Sequence, residues 1–118
     1  MDDAALDTVI LRARSEVLAD LTTSGCADAA AVSILEEACS QRRWWVEQWP
    51  AGAEFIAGLV AQDVQDALGL WPLCRLADEE HETLPLHALR IDPELGGPDP
   101  HWVCEEVGAA VAPLGRLG

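Results

Sequence analysis

Five cysteine and histidine residues lie beyond residue 73, in the order Cys74, His81, His87, His101 and Cys104. They include all three histidines of the chain. The last two form a His-x-x-Cys step, whose two-residue gap allows both side chains to bind one ion, as in zinc ribbons. Because Zn²⁺ favours a mixture of thiolate and imidazole ligands, we predict a zinc site built from both cysteines and these histidines, with His81 or His87 as the fourth ligand.

The first half of this pattern is less specific than the second. Six residues separate Cys74 from His81, so no Cys-x-x-Cys step completes a ribbon. The alternative is that Cys74 and Cys104 are buried thiols and that the histidines are surface groups in a turn-rich region. The zinc-protease motif His-Glu-x-x-His is disfavoured, because His87 lies two residues too far from His81-Glu82 and Pro85 interrupts any helix between the two histidines.

A cluster of arginine and tryptophan is a second candidate site, in this case for binding a protein. Its members are Arg42, Arg43, Trp44, Trp45 and Trp49. Tryptophan and arginine are enriched at the positions that dominate interface energetics. We expect one side of the rings to enter the core and the other to stand exposed beside the arginines. The alternative is that the rings form the seam between a helical part and a β-type part.

The first two-thirds of the chain shows the apolar spacing of amphipathic helices. The first helix is predicted over residues 3–23, where the apolar positions recur every three or four residues: Leu6, Ile10, Ala13, Val17 and Leu21. A second helix is predicted over 28–48, before Pro50, and a third over 53–68, before Gly69. Three such helices with short links indicate a helical bundle over residues 1–70.

Beyond residue 70 the helical periodicity gives way to a period of two, with many prolines and glycines. Strands are predicted over about 87–91, 101–105 and 109–112, with a loop over 92–100. The predicted fold class is α+β: an N-terminal three-helix bundle and, over residues 71–118, a small three-stranded antiparallel, zinc-ribbon-like β tail packed on it. A bound zinc ion would explain how so short a tail stays ordered.

The chain is strongly acidic, with 21 acidic residues, 7 basic residues and a formal net charge of −14. Such a surface disfavours nucleic acid and anionic membranes and favours a basic protein as the partner. The start Met1-Asp2-Asp3 lacks a basic, apolar leader, and no apolar run reaches about 18 residues. We therefore predict a cytoplasmic protein whose cysteines are thiols or metal ligands. The absence of Lys, Asn and Tyr indicates a high-GC bacterial genome.

Three short segments of the tail resemble small uncharacterised actinobacterial proteins with a zinc-ribbon-like C-terminal end. They are Trp71-Pro72-Leu73-Cys74, Trp102-Val103-Cys104 and Val111-Ala112-Pro113-Leu114-Gly115. The resemblance implies a degenerate metal knuckle, with the first knuckle incomplete, and it implies no particular activity.

These observations predict a non-catalytic, acidic protein-interaction module with a structural zinc site. The sequence contains no Gly-rich phosphate loop, Ser-His-Asp order or nucleotide fingerprint. Two alternatives stay open. The tail could hold a catalytic metal with an open coordination position, or the acidic surface could imitate nucleic acid and occupy the binding site of a basic protein.

Overall fold

The computed structural model describes residues 2–94 and 97–118. Within these ranges the fold is α+β, as predicted, with a helical N-terminal region and a small C-terminal sheet. The first two helices are α1 (Asp3–Thr23) and α2 (Ala29–Gln48). A 3₁₀ helix over Pro50–Phe55 leads into α3 (Ile56–Leu68), and the short α4 (Glu79–Glu82) follows. None of the helices in this part of the chain combines the length and the apolar character needed to cross a membrane.

Aspartate side chains begin the first two helices. Asp2 accepts a hydrogen bond from the backbone N–H of Ala5, and Asp28 accepts one from Ala31. Each bond satisfies a backbone donor that helix geometry leaves without a partner. The predicted apolar stripe of α1 is buried along its whole length. Helices α1, α2 and α3 pack against one another, as the predicted bundle requires.

The third helix begins later than predicted. The sequence indicated a helix over 53–68, but Pro50–Phe55 forms a 3₁₀ helix and the α-helix begins at Ile56. Gly52 lies in this tighter segment, where a Cβ atom would stand 2.6 Å from a ring carbon of Trp45 and 2.8 Å from one of Trp49. The backbone therefore runs directly against the two indole rings before it enters α3.

The tail contains the strands β1 (Arg90–Asp92), β2 (His101–Cys104) and β3 (Ala109–Pro113), in the spatial order β1-β2-β3. Both neighbouring pairs are antiparallel, which confirms the predicted three-stranded antiparallel sheet. β1 is shorter than predicted, and Ala88 just before it forms an isolated bridge with Leu73. Within the predicted loop over 92–100, residues 95 and 96 lie outside the described residues.

The sheet and the helices share one hydrophobic core. Trp102 of β2 is fully buried, and its ring meets the ring of Trp71 edge to face at 5.4 Å. Leu89, Ile91 and Leu114 belong to the same buried cluster as the stripes of α1, α2 and α3. The sheet and the segments beside it therefore pack directly on α1, α2 and α3.

A charged side chain is buried where the tail meets the bundle. Asp20 of α1 is 0% exposed. It accepts hydrogen bonds from the indole Nε1 of Trp102 at 2.7 Å and from the backbone N–H groups of Gly115 at 2.7 Å and Leu117 at 3.1 Å. A buried charge is tolerated only when it is paired or hydrogen-bonded, and these three donors meet that condition. They also join α1 to β2 and to the C-terminal segment.

Candidate metal centre

Two cysteines and two histidines converge beside the sheet. The candidate ligand atoms of Cys74, His81, His87 and Cys104 all lie within 4.8 Å of one another. Cys104 is buried at the end of β2, and the other three residues are half-buried. This group can bind a metal ion, and it contains four of the five predicted ligands.

Backbone pairing holds two of the four residues in place. The N–H of Cys74 donates to the carbonyl of His87 at 2.9 Å, and the N–H of Leu89 donates to the carbonyl of Pro72 at 2.8 Å. Two extended segments are therefore paired side by side, one carrying Cys74 and the other carrying His87. Their pairing places a thiol and an imidazole next to each other at the end of the sheet.

His81 is positioned by the short helix α4 and by the aspartate that begins it. Asp78 accepts hydrogen bonds from both the backbone N–H of His81 at 2.9 Å and the ring Nδ1 at 2.7 Å. The bond to Asp78 is the main reason that the pKa of His81 is raised and that the pKa of Asp78 is lowered. The other ring nitrogen, Nε2, lies 3.3 Å from Sγ of Cys104. It donates a hydrogen bond to this sulfur when the ring is protonated, and it offers its lone pair to a metal ion when the ring is neutral with its proton on Nδ1.

His87 has the same arrangement with a different acceptor. Its Nδ1 donates to the carbonyl of Pro85 at 2.9 Å, and its Nε2 lies 3.3 Å from Sγ of Cys104. The hydrogen bond to Pro85, followed by the bond to Cys104, raises the pKa of His87. The rings of His81 and His87 are stacked, with centroids 5.8 Å apart. Both imidazoles therefore direct the same nitrogen atom towards the same sulfur atom.

Cys104 lies in an environment that favours its thiolate. Burial raises the pKa of the thiol, but hydrogen bonds from the two imidazoles and from the backbone N–H groups of Val107 and Glu106 outweigh burial and lower the pKa to about 6. The thiolate is the form of cysteine that binds metal ions. Near neutral pH the thiolate is therefore the favoured form of Cys104.

Cys74 differs from Cys104 because its pKa is raised. Burial is the largest cause, the hydrogen bond and charge of Cys104 add to it, and the backbone N–H of Leu76 opposes it. A cation held between the two sulfur atoms would favour both thiolates at once. A bound metal ion would therefore make the thiolate of Cys74 favourable beside the thiolate of Cys104.

His101 lies apart from this cluster, so its predicted role as a ligand requires correction. Along β2 the burial alternates, with Trp102 and Cys104 buried and His101 and Val103 half-buried. Side chains three positions apart in a strand point to opposite faces, whereas a His-x-x-Cys step brings both side chains to one ion only where the backbone turns. The Nδ1 of His101 instead donates to the carbonyl of Asp99 at 2.7 Å.

Comparison with known proteins places the chain in a family. A family profile for a domain of unknown function, DUF8819, matches residues 6–114. The chain belongs to this family. No curated protein and no solved structure matches the chain. The DUF8819 match spans the bundle, the sheet and all four residues of the cluster, so both parts of the fold belong to one family domain.

In this DUF8819 chain, both arginines of the predicted interaction cluster form ion pairs with aspartates of the same chain. Arg42 donates to both carboxylate oxygens of Asp63, at 2.7 and 2.8 Å. Its Cζ also lies 5.5 Å from the ring centroid of Trp45. Arg43 forms an ion pair with Asp7. These contacts join α2 to α3 and to α1, so the two guanidinium groups stabilise the bundle.

The tryptophans beside these arginines are placed differently from one another. Trp44 is 64% exposed and Trp49 is 49% exposed, whereas Trp45 is half-buried. Trp49 meets the ring of Trp45 edge to face at 5.2 Å and stacks on Phe55 at 6.0 Å. Trp44 and Trp49 therefore expose large aromatic surfaces to solvent, on a protein whose net charge is −14.

Two aspartates that organise the structure were missed in the sequence. Asp78 could have been found, because an aspartate three residues before His81 has the spacing of a helix cap. Asp20 lies three residues after Val17, which places it on the buried face of α1. Its charge concealed that position, since its hydrogen-bond donors lie 82 to 97 residues further along the chain.

Proposed function

We propose that this chain binds one Zn²⁺ ion through Cys74, His81, His87 and Cys104, and that the ion supports a non-catalytic, acidic module that binds a basic protein. The observation that carries the metal proposal is the convergence of four ligand atoms within 4.8 Å. In addition, Nδ1 of His81 and Nδ1 of His87, which face away from the cluster, are already hydrogen-bonded. Hydrogen bonds at the nitrogen that does not bind the metal fix the tautomer and the ring orientation that a metal ligand needs.

The spacing of the donor atoms supports a tetrahedral ion. With Zn–S near 2.3 Å and Zn–N near 2.0–2.1 Å, the donor atoms of a tetrahedral site lie roughly 3.3–3.8 Å apart. Both nitrogen-to-sulfur distances to Cys104 are 3.3 Å, and no separation in the cluster exceeds 4.8 Å. Only small movements would therefore complete the site. Two thiolates and two imidazoles are a donor set that suits zinc better than calcium or magnesium.

A structural role follows from the number of ligands and from the elements that carry them. Four protein ligands leave no coordination position for water or substrate, which is typical of structural zinc sites. The ion would crosslink the extended segment of Cys74, the four-residue helix α4 and the end of the four-residue strand β2. Elements of this length are not stable alone. The catalytic alternative needs an open position and is therefore less well supported.

The charge and the exposed tryptophans support a role in protein binding. A net charge of −14 attracts basic surfaces, and tryptophan is the residue most enriched among the positions that dominate binding energy. Trp44 and Trp49 are exposed on α2 and just after it. A mimic of nucleic acid would need rows of carboxylates and no aromatic anchors. The exposed rings therefore favour an interface with a basic protein over that alternative.

The metal proposal is tested by the zinc content of the purified protein after equilibration with zinc and removal of the excess. One zinc ion per chain is expected by mass spectrometry, and X-ray absorption should report two sulfur and two nitrogen neighbours. Cys104→Ser and His87→Ala should lose the ion. His101→Ala and Cys26→Ser, which change the same residue types outside the cluster, should retain it. An unloaded wild-type protein, or equal loss in the control variants, would refute the proposal.

The interaction proposal is tested separately by affinity capture from the native host. A stable partner is expected that is basic and that dissociates at high salt, because charge attraction between exposed groups is screened. The double variant Trp44→Ala, Trp49→Ala should lose this partner. Leu11→Ala, at another exposed apolar side chain (62% exposed), should keep it. A zinc-loaded monomer that captures no basic protein would contradict the interaction proposal and leave the metal site standing.

A further inference from the structure

A cleft separate from the metal ligands lies between the C-terminal end of α1, the segment that follows α3, and β3. Its volume is about 330 Å³, which is within the range of pockets that bind small molecules. Apolar side chains form most of its lining, including Trp71, Leu89, Val111 and Leu117. Trp71 and Leu89 are 3% and 2% exposed, so the inner side of the cleft belongs to the core of the protein.

The charge of this cleft is opposite to the charge of the chain as a whole. None of its twelve lining residues is acidic, and one of them is Arg75, although 21 of the 118 residues of the chain are acidic. Arg75 is exposed. Among residues 2–94 and 97–118, no carboxylate lies within ion-pair distance of it. Its guanidinium group is therefore available to a ligand.

We propose that this cleft binds a small apolar carboxylate, with the alkyl part against Trp71 and the carboxylate on Arg75. Guanidinium and carboxylate groups pair through two parallel hydrogen bonds. Burial of an alkyl chain against an apolar wall lowers the free energy of the complex, because it removes apolar surface from water. At roughly 30 Å³ for each water-sized unit, the cleft holds about eleven heavy atoms. Octanoate, with eight carbons and two oxygens, is therefore a suitable probe.

Calorimetric titrations with three ligands of equal chain length test this assignment. Octanoate should bind more tightly than 1-octanol and octylammonium, because only octanoate can pair with Arg75. Arg75→Gln should weaken octanoate about tenfold and leave 1-octanol unchanged. Arg116→Gln is the matched control, since Arg116 is also exposed, lies outside this cleft and causes the same change in net charge. That variant should bind octanoate as the wild type does.

A second variant tests the location of the ligand. Thr23 is an exposed residue at the rim of the cleft, so Thr23→Trp should obstruct the cleft without disturbing the core. Binding of both octanoate and 1-octanol should be lost, while zinc content and urea denaturation stay as in the wild type. Equal binding of octanoate and octylammonium, no effect of Arg75→Gln, or no binding at millimolar octanoate would overturn the assignment. None of these results depends on the proposed protein partner.

Discussion

Replacement of Asp20 by alanine is expected to destabilise the protein by about 3–5 kcal/mol. The side chain is 0% exposed and accepts three hydrogen bonds. Alanine would leave the indole N–H of Trp102 and the backbone N–H groups of Gly115 and Leu117 without partners. Each buried donor without a partner costs about 1–3 kcal/mol. Since the two backbone donors are only part-buried and water entering the vacated space restores some bonds, the lower part of the summed range is expected.

Asparagine at the same position separates the loss of charge from the loss of the side chain. One oxygen of Asp20, Oδ2, accepts from both Trp102 and Gly115, and the other accepts from Leu117. Asp20→Asn can keep its carbonyl oxygen on the first two donors, but its amide group then faces the N–H of Leu117. The expected cost is about 1–3 kcal/mol, from one lost bond and weaker remaining bonds.

Urea denaturation of the zinc-equilibrated variants, followed by tryptophan fluorescence and far-ultraviolet circular dichroism, measures both costs. A chain of this length has a total stability of about 6–18 kcal/mol, so Asp20→Ala should shift the midpoint strongly without changing the slope. If Asp20→Ala falls within about 1 kcal/mol of the wild type, or if Asp20→Asn is as damaging as Asp20→Ala, the hydrogen-bond account of this contact is wrong.

Three further outcomes are expected. Asp78→Asn should weaken zinc binding about 10–100-fold by loosening His81, and in the metal-free protein it should lower the raised pKa of His81, as an NMR titration would measure. Gly52→Ala should cost about 1–3 kcal/mol in urea denaturation, because the added methyl would meet ring carbons at 2.6–2.8 Å. A double-mutant cycle on Arg42→Met and Asp63→Leu should give a coupling free energy of about 1 kcal/mol.

Each of these outcomes has a matched control. Glu79→Gln removes an exposed charge beside Asp78 and should leave zinc affinity unchanged. Gly97→Ala should cost less than Gly52→Ala, because among the described residues that are not its chain neighbours the nearest atom to its new methyl would be 3.7 Å away. For the ion pair, Arg12→Met changes an arginine whose side chain is 77% exposed, and its cycle with Glu16 should give a smaller coupling. Equal effects within any of these pairs would contradict the corresponding prediction.

The helices were predictable because their signal is local. The stripe from Leu6 to Leu21 and the breaks at Pro50 and Gly69 depend on neighbouring residues and on the period of the helix. The start of α3 was not predictable from periodicity, because the 3₁₀ segment before it packs at Gly52 against the ring of Trp45, and only the folded chain creates that contact. Periodicity identifies an element, whereas packing determines where that element begins.

The residue types of the candidate metal cluster were predictable from the sequence, but which of the three histidines belong to the cluster was not. Residue type alone pointed to Cys74, Cys104 and the histidines. The local spacing of His101 and Cys104 was misleading, because two residues three apart converge in a turn and diverge in a strand. His81 and His87 reach the site through a four-residue helix and an isolated bridge. Neither element has a periodicity long enough to be read in the sequence.

The positions of the four cluster residues along the chain affect how the abundance of the protein depends on zinc. Cys74 and Cys104 lie at opposite ends of the segment that contains the histidines, so no short stretch of chain presents a complete donor set before the sheet has formed. If zinc occupies the cluster as proposed, its capture accompanies the last stage of folding. Chains made when zinc is scarce would then spend more time unfolded and be degraded by cellular proteases. The abundance of this protein would follow the zinc supply even at a constant rate of synthesis.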